Sequence, residues 1–203
     1  DLGTGMVFLV TCFLLIFVAG AKIMHFVFLA GFGVIGFLLL IISAPYRINR
    51  ITAFLDPWQD PLGTGFQIIL SLYAIGPGGL LGVGFGNSLQ KYFYLPEPHN
   101  DFIFAIIAEE LGFIGASFVI ILFFLFIWRG ILTAIHAPDL FARLLAVGIV
   151  GMIAIQVMIN ISVVIGLIPV TGITLPFLSY GGSSLTLTLC SVGILINISK
   201  YRQ

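Results

Sequence analysis

Long apolar runs broken by brief polar stretches organise this chain. Runs near 4–20, 23–44, 102–128, 144–167 and 175–198 approach or exceed the ~18 apolar residues that read as a membrane span. The runs are continuous rather than alternating, which predicts helices and excludes the strands of a membrane barrel. The pattern therefore predicts an all-α polytopic membrane protein with five transmembrane helices, a single membrane domain over 1–203. Its connections are short except for one large loop, 45–101.

Within that loop, "FQIILSLYAIGPGGLLGVGF" (66–85) is apolar, but Gly76, Pro77, Gly78 and Gly79 interrupt it. The pattern predicts a short helix over 64–75, lying in or dipping into the interface. An irregular glycine-rich segment, 76–90, follows. Its unpaired backbone must face water or protein rather than lipid.

Composition agrees. Of 203 residues, 60% are hydrophobic and 8% charged, and the mean hydropathy is +1.22. The formal net charge is zero, so nothing points to nucleic acid. Cys12 and Cys190 sit inside apolar runs and read as small apolar residues rather than a disulfide or metal site. The chain opens "DLGTGMVF", with neither an initiator Met nor a signal-peptide pattern, and so reads as the second half of a larger protein. On its own it is expected to be inactive.

The distribution of charge predicts sidedness. Lys200 and Arg202 close the chain, and Arg129, His136 and Arg143 sit in the connection 129–143. By the positive-inside rule both regions are cytoplasmic, which makes the 45–101 loop extracellular. Arg47 and Arg50 then lie outside, as headgroup anchors or as ligands for an anion.

Candidate chemistry concentrates in "LPEPHNDFIFAIIAEELGFIG". Pro96 and Pro98 keep the lead-in extended. Asn100 or Asp101 is a natural N-cap for the third span. Asp101 is also a carboxylate at the membrane surface that can act as a general base, with His99 and Glu97 beside it. Glu109 and Glu110 lie inside the span, where carboxylates mark function or fix helix packing, and Glu109 lies nearer the Asp101 face. Gln156 and Asn160 share a face of the fourth span and suit interhelical hydrogen bonds. The run "LSYGGSS", with Ser179, Gly181, Gly182 and Ser183, suits a cavity wall or close helix packing. No GxSxG, HExxH, Walker A or CxxC pattern is present.

"DLGTG", "YRINRITAFLDPW", "GNSLQKYFYLPEPHNDFIFAIIAEELGFIG" and "PVTGITLPFLSYGGSS" occur in order along the whole chain. Together they resemble the SEDS family (shape, elongation, division and sporulation), which includes FtsW, RodA and SpoVE. The wording is closest to the FtsW/SpoVE branch of Gram-positive spore formers. The resemblance implies that these are the last five helices of a ten-span fold in a bacterial cell membrane.

It further implies a peptidoglycan glycosyltransferase that polymerises lipid II and releases undecaprenyl pyrophosphate, in division or sporulation. Asp101 matches the family's essential carboxylate. Arg47, Arg50 and Lys91 are candidates to neutralise pyrophosphate, and a divalent cation (Mg or Mn) with Glu97 as ligand can share that task. His99, Glu109, Ser179 and Ser183 complete the candidate substrate-binding set. The implied partners are a class B penicillin-binding protein, meeting the fourth and fifth spans, and other divisome or sporulation proteins. One departure stands out: proteobacterial FtsW relatives carry a functional lysine where this chain has Thr171. A lipid II flippase and a non-catalytic scaffold that recruits a transpeptidase are the alternative functions.

Overall fold

The computed structural model describes residues 2–43, 45–88 and 100–201. Every regular element among them is helical. The order is α1 (Leu2–Val18), α2 (Ile23–Ile42), α3 (Pro45–Leu55), a 3-10 turn (Pro57–Gln59), α4 (Phe66–Gly78), α5 (Ile103–Ile135), α6 (Leu140–Val164) and α7 (Gly182–Lys200).

Helices α2, α5, α6 and α7 are long and apolar enough to cross a membrane, whereas α1 is an apolar helix of 17 residues. All five coincide with the predicted runs, with two corrections at the ends. Helix α5 continues through Arg129 to Ile135, so the predicted connection 129–143 shrinks to 136–139. Asp139 sets the new boundary, because its carboxylate accepts the Ala142 N–H at 2.6 Å and caps α6. Helix α7 starts at Gly182 rather than near 175, because side chains fix the preceding residues in a non-helical path.

The predicted short helix at 64–75 is α4, which extends through Pro77 to Gly78. Helix α3 was not foreseen; it occupies the start of the predicted loop. Helix α4 packs into the bundle and buries Ile68, Ile69, Leu70, Ser71 and Ala74. The Ser71 hydroxyl donates to the Val164 carbonyl at 2.7 Å, which ties α4 to the end of α6.

Small residues set the helix spacing, as expected where lipid removes the hydrophobic drive between helices. Gly148 and Gly151 of α6 receive Leu15 and Leu14 of α1, and Gly130 of α5 receives Val150. Phe102, Ala105, Ile153, Val164 and Leu175 form the centre of the main core.

Helix α5 is broken at Gly112, whose φ 66° and ψ −166° are open essentially only to glycine. In a continuous helix the Glu109 and Glu110 carbonyls would accept from Phe113 and Ile114. Instead they accept from Val83 and Gly84 at 3.0 and 3.1 Å. Phe113 and Ile114 donate to Gly79 and Leu80 at 2.9 and 3.2 Å. The glycine-rich segment after α4 thus replaces the two missing helix bonds with four of its own. A Cβ at Gly78 or Gly82 would overlap the Ala108 or Glu110 carbonyl, so only glycine lets the two backbones meet.

Gly112→Ala and Gly82→Ala should each destabilise the full-length protein by at least about 2 kcal/mol, because they combine a disfavoured backbone with steric overlap. Gly36→Ala, with open space around its Cβ, should cost nothing measurable. Thermal unfolding in detergent checks this; equal midpoints for all three variants would contradict the packing described.

Candidate active site

Asp101 sits in a turn immediately before α5, and the helix begins one residue later than predicted. Phe102 holds the N-cap position and makes no side-chain cap bond of its own, so the cap position falls after both Asn100 and Asp101. The expectation that Asn100 or Asp101 caps this helix is therefore corrected. The backbone at both residues is held by side chains from other segments, which sets the turn geometry independently of a cap.

Asn160, 1% exposed, donates its amide to the Asp101 carbonyl and to the Ile173 carbonyl, each at 2.7 Å. Two carbonyl partners fix which end of the amide is nitrogen. The Ser179 hydroxyl donates to the Asn100 carbonyl at 2.6 Å and accepts the Leu175 N–H at 2.7 Å. Two consecutive carbonyls, at 100 and 101, are thus clamped from α6 and from the segment 165–181.

That segment is shaped by left-handed residues: Gly166, Gly172 and, unusually, Phe177 at φ 68°. The Phe177 ring packs on Phe126 and Phe123, with centroids 5.7 and 6.4 Å away, and these contacts hold the strained backbone in place. A Cβ built on Gly172 would lie 3.5 Å from Asp101 Oδ2, so the half-buried carboxylate faces this glycine. From the other side, Arg50 Nη1 donates to the Val170 carbonyl at 3.3 Å. The carboxylate and the guanidinium therefore meet the same short stretch two residues apart. Beside it, Asn160 Oδ1 and Thr171 Oγ1 are buried polar atoms with no hydrogen-bond partner among the described residues.

The other candidates are distributed differently. Arg47 shares α3 with Arg50, but its side chain is outside the described features. Lys91, Glu97 and His99 lie outside the described residues. Glu109 is 2% exposed and accepts the Ser88 hydroxyl at 2.5 Å beside the break in α5. Glu110 is buried in the same region. Ser183 is exposed in the first turn of α7. Among the described residues no three His, Cys, Asp or Glu side chains are grouped to hold a metal ion.

Two contributors were missed as site residues. Asn160 was expected only to bond between helices, although an amide deep in an apolar span is a site signal in its own right. Gly172 carried no signal beyond the turn-like "VTGIT" that contains it.

A helical bundle of long apolar helices, one of them broken and backed by a packed half-helix, defines a polytopic membrane protein. The chain belongs to the FtsW, RodA and SpoVE family, described as cell cycle proteins, whose model matches residues 1–203. It is 67% identical over its whole length to stage V sporulation protein E of Bacillus subtilis (strain 168), covering 56% of that protein. It is 47% identical to the probable peptidoglycan glycosyltransferase FtsW of Geobacter sp. (strain M18), across 98% of this chain and 54% of that one.

Among solved structures, it matches a chain from a study of how a peptidoglycan synthase complex coordinates polymerization and crosslinking. The TM-score is 0.77 and the identity 35%, covering all of this chain and 56% of that one. The crystal structure of Thermus thermophilus rod shape determining protein RodA matches with TM-score 0.62 and 31% identity, covering 100% of this chain and 50% of that one. The chain thus spans about half the length of these relatives.

Asn160→Ala should leave two carbonyls without their donor, at about 1–3 kcal/mol each. Ser179→Ala also removes two partners, one from a carbonyl and one from an N–H, but at a half-buried position, and should cost less. Unfolding midpoints of the full-length protein check the order; an Asn160→Ala variant as stable as wild type would remove the clamp from the account.

Proposed function

We propose that the full-length protein containing this chain is a peptidoglycan glycosyltransferase that polymerises lipid II, with Asp101 as general base. The observation that carries this reading is a half-buried carboxylate that faces Gly172 from a main chain clamped by Asn160 and Ser179. Such positioning is what a proton acceptor needs. The family membership and the names of its relatives support the same chemistry.

In the proposed step, Asp101 takes the proton from the 4-hydroxyl of the acceptor N-acetylglucosamine. That oxygen forms a bond to the anomeric carbon of the donor as the bond to pyrophosphate breaks. The bonding electrons leave with undecaprenyl pyrophosphate. Arg50, with Arg47 and Lys91, is proposed to neutralise the leaving charge. A Mg or Mn ion with Glu97 as ligand stays a proposal. The described residues supply no group of three metal-ligating side chains.

We further propose a bacterial cell membrane location with 45–101 outside and the C-terminus inside. Beyond the break at Gly112 the second limb of α5, 113–135, rises about 35 Å, enough to cross the ~30 Å hydrocarbon core of a bilayer. That length supports placing Asp101 and His136 at opposite surfaces, and the basic residues near His136 favour the inside. A class B penicillin-binding protein is the proposed partner, on α6 and α7. The similarity to a chain from a complex that coordinates polymerization and crosslinking supports it.

Asp101→Asn in the full-length protein with its partner should lower glycan polymerisation from purified lipid II by about 10²-fold or more. A flippase or a scaffold predicts polymerisation close to wild type, and that result would overturn the enzymatic reading.

A further inference from the structure

A second polar feature adjoins the carboxylate. Arg50, Tyr46 and Asn49 of α3, Thr64, Gln67 of α4 and Val170 line a cavity of about 320 Å³. Its rim is fixed. Asp60 accepts the Thr64 N–H at 2.8 Å and the Thr64 hydroxyl at 3.2 Å, and its carbonyl accepts the Gly65 N–H at 3.1 Å. A Cβ at Gly65 would overlap the Pro57 carbonyl, so this turn is packed against the end of the 3-10 element. The cavity is therefore built before a ligand arrives, and its volume is at the small end for binding sites. It is large enough to take a hexose ring.

The lining chemistry is specific. Asn49 and Gln67 make no side-chain hydrogen bond among the described residues, so each offers both an amide donor pair and a carbonyl acceptor. Thr64 adds a hydroxyl, and Tyr46 adds an aromatic face with a phenol. Arg50 uses one N–H on Val170 and keeps others for an anion. Two amides, a hydroxyl and an aromatic face beside one guanidinium, with no carboxylate among the described lining residues, match a neutral polyhydroxylated ring attached to a negative group.

Position strengthens this reading. Val170 lies on the cavity wall, and Gly172, two residues on, faces Asp101. Two residues of chain span at most about 7 Å, so the cavity wall and the carboxylate are within the reach of one substrate headgroup. We propose that this cavity is a saccharide subsite. It holds the N-acetylated hexose that is joined directly to the lipid pyrophosphate, with Asn49 and Gln67 reading the ring and Arg50 at its phosphate end. The proposal rests on the glycosyltransferase reading above and names the part of the substrate that this wall recognises.

The test measures binding to the full-length protein in nanodiscs, without turnover. The probes are undecaprenyl pyrophosphate and the same lipid pyrophosphate bearing a single N-acetylmuramyl-peptide. Wild type should bind the sugar-bearing lipid at least about tenfold more tightly. The double variant Asn49→Ala/Gln67→Ala should lose that preference and keep its affinity for undecaprenyl pyrophosphate. Arg50→Ala should weaken both lipids.

Retention of the sugar preference by the double variant would overturn the proposal. So would equal weakening of both lipids, which would make the cavity a phosphate site. The unchanged pyrophosphate affinity serves as the control for folding. Normal polymerisation by Asp101→Asn would remove the enzymatic reading and leave this binding comparison standing.

Discussion

The four hydrogen bonds that close the break in α5 are the constraint on which the rest of the structure depends. A helix interrupted within a membrane exposes carbonyl and amide groups that lipid cannot satisfy, each at a cost of several kcal/mol. Here the glycine-rich segment after α4 supplies both donors and acceptors, from Gly79 to Gly84. This arrangement also explains why α4 stops at Gly78 and why its end abuts Ala108. The buried Glu109 and Ser88 pair lies at the same junction.

The site inherits its geometry from that junction. The first limb of α5, from Ile103 to the break, carries Asp101 at its mouth and is packed on α4 through Phe104, Ala105 and Ala108. Across from it, the segment 165–181 abandons helical form, and Asn160 and Ser179 join the two. The carboxylate is thus positioned by rigid elements rather than by a loop alone, which is the usual requirement for a preorganised proton acceptor. Arg50 reaches the same segment from α3, so charge of both signs flanks Val170 to Gly172.

The membrane class and the five apolar runs were legible because a 17–33 residue helix leaves an unmistakable apolar record. The boundary of α7 was not. "PVTGITLPFLSYGG" is apolar enough to extend a span, and only the bonds from Asn160, Ser179 and Arg50 fix it as an irregular strap. Helix α3 was missed because "PYRINRITAFL" is amphipathic and charged inside a region dominated by loop signals. The end of α4 was legible as an interruption, although it falls after Gly78 rather than at 76, whereas its partner at Gly112 was not, since pairing between distant backbone segments leaves no local pattern. Asp101 was visible as a residue, but its clamp was not, because the clamp acts on main-chain carbonyls that carry no sequence identity.

Hydrogen–deuterium exchange of the full-length protein in nanodiscs tests the central claim most directly. The amides of Val83, Gly84, Phe113 and Ile114 should exchange as slowly as those in the middle of α6, despite lying beside a helix break and in a glycine-rich segment. Exchange at these amides as fast as at the exposed 60–62 turn would contradict a junction held by backbone hydrogen bonds.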